Sequence, residues 1–127
     1  MEYITLHFKN IVILFIESMK PYKNPITGHL DILAYRKQDE DDKKIFYSEI
    51  LIHGDPEGLR SFANLLLKLA DLDQESLVDL PVGAREHEHL RPDIELAKSS
   101  QEVVVGRLDA KGTGAFYSSY ISKNGKR

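Results

Sequence analysis

The stretch from Pro56 to Leu72 constrains the fold of this chain more than any other. Leu59, Phe62, Ala63, Leu66, Leu69 and Ala70 recur at three- and four-residue spacing, so a helix gathers them on one apolar face. Leu65, Leu67 and Leu72 widen that face, which predicts a helix well buried against a sheet. The start of the helix is marked as well. Asp55 can accept hydrogen bonds from the first free amides, Pro56 fits the first turn, and Glu57 complements the positive end of the helix dipole. A phosphate would favour the same end, but Asp55 and Glu57 already occupy it, so the junction reads as structure.

The surroundings of the helix are strand-like. Tyr3 to Phe8 alternates, with Ile4, Leu6 and Phe8 on one face. Ile11 to Ile16 is apolar at every position and reads as a strand covered on both faces. Residues 20–28, with two prolines, an asparagine and a glycine, form a loop. Leu30 to Tyr35 and Ile45 to Ile52 resume strand character. The charged tip between them, 38–44, carries Asp41 and Asp42, which keep a hairpin soluble and offer charge to a basic partner. After the helix come a short helical turn around Glu75 to Leu80 and a charged edge strand Glu86 to Leu90 that Pro92 ends. A strand or turn at Ile94 to Ala97, a strand Glu102 to Leu108 and a further strand Ala115 to Ile121 follow. The expected fold is α+β: a mainly antiparallel sheet of about five to seven strands with one long amphipathic helix packed on one face. Residues 1–127 read as a single domain with a frayed polar tail from about Ser122.

Charge and composition exclude several functions. Lys+Arg 17 against Asp+Glu 20 leaves a net charge of −3, which argues against sequence-independent nucleic-acid binding, since that needs a clustered basic surface. With no cysteine, the chain has no disulfide framework, thiolate nucleophile or thiolate-bound zinc. The apolar run Ile11 to Ile16 is far short of the roughly 20 residues of a membrane helix. Glu2 spoils the basic start of a signal peptide, so the expectation is a cytoplasmic protein with no membrane partner.

The candidate functional residues lie in the last third. His87 and His89 are two apart and share a face on a strand, as Arg107 and Asp109 do. Arg91 follows the histidines, and Lys111 follows the aspartate. A zinc site wants three or four ligands and only two histidines are close in sequence, so no metal is expected. Gly106 to Gly114 lacks the residue order of a phosphate-binding loop and reads as a turn. No serine sits in a nucleophile elbow, so no catalytic residue is assigned and no cofactor is implied.

Four motifs carry a family resemblance: Gly54-Asp55-x-x-Gly58-Leu59, the helix with Ala63, Leu66 and Ala70, His89-Leu90-x-Pro92, and Gly106-Arg107-Leu108-Asp109. Together they resemble the small immunity proteins of bacterial polymorphic-toxin systems, with family thirty-two as the best placement, over roughly residues 45–115. The resemblance implies a protein that binds and neutralises a cognate toxin domain, by binding and not by catalysis. On that reading His87, His89, Arg91, Arg107, Asp109, Lys111, Asp41 and Asp42 are the expected contact residues. The second reading is a small enzyme or ligand-binding protein that uses His87, His89, Arg107 and Asp109.

Overall fold

The computed structural model describes residues 21–37 and 47–125. The expected strands Tyr3 to Phe8 and Ile11 to Ile16 and the tip with Asp41 and Asp42 lie outside these residues. Among the described residues the order is β1 (Leu30–Lys37), β2 (Tyr47–Gly54), α1 (Pro56–Asp71), a 3-10 turn (Gln74–Ser76), β3 (His87–Leu90) and β4 (Val103–Gly106). The fold class is α+β, with one helix and two antiparallel pairs of strands, β1–β2 and β3–β4. Two small sheets thus stand where one larger sheet was expected.

The two pairs meet along one edge of β1. Ala97 N–H donates to Leu30 C=O at 2.9 Å and Gln101 N–H to Ile32 C=O at 2.7 Å, so the segment before β4 runs alongside β1. Ser100 takes the place of a backbone rung. Its Oγ lies 3.0 Å from the N–H and 3.1 Å from the C=O of Ile32, satisfying both where the chain bulges. Beyond this point β1 pairs only with β2 and β4 only with β3.

The helix covers the junction. Ile26, Leu30, Ile32, Leu65, Leu90 and Leu96 form the buried cluster, with Phe62, Val103 and Val105 packed against it. Leu90 and Leu30 are its most enclosed side chains, at 0% and 2% exposure. The helix turns a different face inward from the one its spacing predicts. Gly58, Ser61, Leu65 and Leu69 are buried, whereas Leu66 is 42% exposed and Leu59 44%. Leucine occupies so many positions of α1 that periodicity alone leaves the inward direction open by about one residue, or roughly 100°.

Polar groups fix that direction. Ser61 is buried, and its Oγ accepts from Thr27 N–H at 3.1 Å and lies 3.0 Å from Thr27 C=O. At the helix start Asp55 Oδ1 accepts from Gly58 N–H at 2.7 Å and from His29 N–H at 3.1 Å, so one carboxylate caps the helix and pins the entry to β1. Gly58 is required there: a Cβ on it would overlap the carbonyl of His29. The motif Gly54-Asp55-x-x-Gly58 therefore lets the helix N-terminus press against the backbone that leads into β1.

The remaining boundaries follow the sequence with local exceptions. The edge strand begins at His87 and ends at Leu90, and β4 is shorter than expected, Val103–Gly106. Ile94 to Ala97 is a turn closed by a bridge between Pro92 and Leu96. Ala115 to Ile121 is not a strand; it consists of turns and extended chain with every side chain exposed. No helix of the described residues is long and apolar enough to cross a membrane.

Candidate functional site

Register decides which candidate residues meet. In the β3–β4 pair His87 lies opposite Gly106 and His89 opposite Val104, while Glu88 faces Val105 and Leu90 faces Val103. Leu90, Val103 and Val105 pack toward α1, so His87, His89 and Val104 occupy the outward face. All three are exposed.

On that outward face the imidazoles of His87 and His89 meet edge to face, with centroids 5.0 Å apart. His87 Nδ1 lies 3.0 Å from the carbonyl of Arg85. A carbonyl only accepts, so Nδ1 carries the proton in the neutral ring and Nε2 is left with its lone pair. Arg85 donates from Nε to Leu108 C=O and from Nη2 to Ala115 C=O, each at 2.6 Å, and its guanidinium lies 4.2 Å from the centre of the Tyr117 ring. Tyr117, Val104 and Leu108 then wall a shallow hollow of about 440 Å³ around the two histidines. Tyr117 is 53% exposed, and Phe116 and Tyr120 beside it pack edge to face at 5.3 Å.

Arg107 and Asp109 do different work. Arg107 Nε and Nη2 donate to the two carboxylate oxygens of Asp109 at 2.8 and 2.7 Å, a bidentate pair. Its Nη1 donates to the carbonyls of Leu69 and Leu72 at 2.9 and 2.8 Å, where α1 ends with its carbonyls free. The cation also complements the negative end of the helix dipole. The Arg107 guanidinium holds the Asp109 carboxyl below its ordinary value, and Asp109 raises Arg107 in turn. Gln74, buried, ties the same place together: its Nε2 donates to Asp109 C=O at 2.9 Å and its Oε1 accepts from Glu86 N–H at 2.8 Å.

Lys111 and Arg91 are likewise engaged within the chain. Lys111 Nζ donates to the carbonyls of Leu77 and Leu80 at 2.6 and 2.7 Å, closing the loop after the 3-10 turn. Arg91 forms a bidentate pair with Glu95 at 3.0 and 3.1 Å, and Glu95 also accepts from Arg91 N–H at 3.2 Å. The Glu95 side chain is 0% exposed while that of Arg91 is 46% exposed. The hydrogen bonds from Arg91 hold the Glu95 carboxyl below its ordinary value of 4.5, outweighing burial, which acts the other way.

The eight residues expected from the sequence thus divide. His87 and His89 share the open face; Arg107, Asp109 and Lys111 clamp the end of α1 and the following loop to the β3–β4 pair; Arg91 holds a buried glutamate; Asp41 and Asp42 lie outside the described residues. The second reading asked His87, His89, Arg107 and Asp109 to converge. The histidines face away from α1 while the Arg107 guanidinium is committed to the helix end, so their functional groups do not converge.

Comparison with known proteins adds one finding. Residues 49–108 match the model of the family described as Immunity protein 32. The immunity protein 32 match runs from β2 to the end of the β3–β4 pair and takes in α1, the histidines and Arg107. The sequence motifs resemble the same family. No curated protein and no solved structure matches the chain.

Arg85, Tyr117 and Gln74 are part of this region and were not singled out by sequence reasoning. Arg85 sits in a stretch read as loop and Tyr117 in one read as strand. Gln74 is a lone amide whose partners are 12 and 35 residues away. No local spacing signals any of the three.

Proposed function

We propose that this protein is an immunity protein that neutralises a cognate toxin domain by binding it, without catalysis of its own. The observation that carries this reading is the match of residues 49–108 to immunity protein 32. The chemistry of the outward β3–β4 face supports it. Tyr117, Val104 and Leu108 supply exposed apolar and aromatic area, and Arg85 and the two histidines supply polar contacts, the mixture that interface centres favour. We place the toxin contact there, with His87 and His89 at its centre and Arg91 at its edge. Arg107, Asp109 and Lys111 keep the face rigid from behind, and Asp41 and Asp42 supply charge for the encounter. The protein belongs in the cytoplasm on this reading, where it meets the toxin before it acts.

Co-expression with the toxin domain encoded beside it tests the proposal. Growth should be rescued, and the two proteins should co-purify. Charge-preserving removal of the contact, His89→Ala with Tyr117→Ala, should raise the dissociation rate at least tenfold while the melting temperature stays within a few degrees. Failure of the intact protein to bind or protect against that toxin would overturn the reading.

A further inference from the structure

The two histidines have a second use that toxin binding does not require. We infer that His87 and His89 form a two-imidazole chelate for a borderline divalent transition metal such as Cu(II), Ni(II) or Zn(II). The inference stands apart from the toxin-binding reading.

Geometry carries it. Metal–nitrogen bonds are about 2.0–2.1 Å, and a ring nitrogen lies roughly 1.1–1.2 Å from its ring centre. Two imidazoles bound to one ion through Nε2 therefore place their centroids about 4.5 Å apart at a right angle and about 5.2 Å apart at the tetrahedral angle. The observed separation is 5.0 Å, inside that interval. The rings need no large movement to share an ion.

The tautomer is set as well. The Arg85 carbonyl holds the proton on His87 Nδ1, so the lone pair sits on Nε2. A backbone carbonyl on the far nitrogen is the usual outer partner of a metal-bound histidine, because it fixes the ring and raises the basicity of the ligating nitrogen. Arg85 is itself fixed by its bonds to Leu108 and Ala115. Opposite His87 stands Gly106, where a Cβ would come within 2.8 Å of the His87 Cβ, so the missing side chain leaves the ring room to turn. The histidines are exposed, and the hollow before them is open to an entering ion.

No group of three or more histidine, cysteine, aspartate or glutamate side chains suited to a metal occurs among the described residues. The chelate is therefore two-coordinate from the protein, with its remaining positions open to water or to a donor from a bound molecule. Such a site exchanges its ion readily and differs from a closed structural zinc site.

Titration of the full chain with CuCl2, followed by electron paramagnetic resonance, tests this. One Cu(II) per chain should bind with the splitting of two nitrogen donors. His87→Ala and His89→Ala should each weaken binding about tenfold or more. A variant lacking the other three histidines, His7→Ala/His29→Ala/His53→Ala, should bind as the parent does. Both histidines of the pair are exposed, so the single variants should melt with the parent, which separates loss of the site from loss of the fold. Unchanged Cu(II) affinity in a His87→Ala/His89→Ala variant would overturn the inference, as would loss of the two-nitrogen signal in the triple variant.

Discussion

Arg107 shows how a residue that looks functional in sequence can be consumed by structure. Its partner two residues on, Asp109, is visible in the sequence because strand alternation puts the pair on one face. Its other partners, the carbonyls of Leu69 and Leu72, lie 38 and 35 residues away, and no spacing rule connects them. Removing the guanidinium leaves those carbonyls and the Asp109 carboxylate without their donors. Arg107→Ala should therefore cost about 2–3 kcal/mol in chemical denaturation. Arg107→Lys should recover only part of it, since an ammonium lacks the planar fork that serves the carboxylate and the helix end together. Full recovery by lysine would mean that charge alone matters at this position.

At the level of elements, the helix start was the most legible feature of the chain, because Asp55, Pro56 and Glu57 act locally and their roles follow from identity and order. Strand pairing of β1 with β2 was legible for the same reason, through two strand-like runs around a charged tip. The inward face of α1 was not. Leu65 and Leu66 are equivalent by hydropathy, and what separates them is Ser61 held against Thr27 and Gly58 seated under His29. Leu65 is 6% exposed and Leu66 42%. Leu65→Asp should therefore unfold the protein, through a charge forced into the cluster with Leu30 and Leu90, a cost above about 4 kcal/mol. Leu66→Asp should remain folded, with a cooperative melt. Gly58→Ala, helix-favouring by propensity, should instead destabilise by about 3 kcal/mol because its methyl meets the His29 backbone. A thermal melt of the three variants side by side distinguishes the observed face from the one the spacing suggests.

The behaviour of the whole molecule with pH follows from three carboxylates placed at its joints. Asp55 joins the helix start to β1, Asp109 joins the helix end to β4, and Glu95 closes the turn before the strand junction. Each is held below its ordinary value: Asp55 by the amides of His29 and Gly58, Asp109 by Arg107, and Glu95 by Arg91. A carboxylate with a lower pKa folded than unfolded binds fewer protons in the folded state. It contributes its full stability above the unfolded value and loses it as pH falls through the folded one. These groups should thus leave the melting temperature level above about pH 5 and lower it steadily from there toward pH 3. Glu95 is the sharpest probe, since its carboxylate is the one with a side chain at 0% exposure. Glu95→Gln should melt well below the parent at pH 7, because an amide cannot replace the bidentate acceptor of Arg91. Toward pH 3 the parent protonates the same group, so the two melting curves should converge. Curves that stay parallel from pH 7 to pH 3 would show that the Arg91–Glu95 pair does not contribute to the acid sensitivity of the fold.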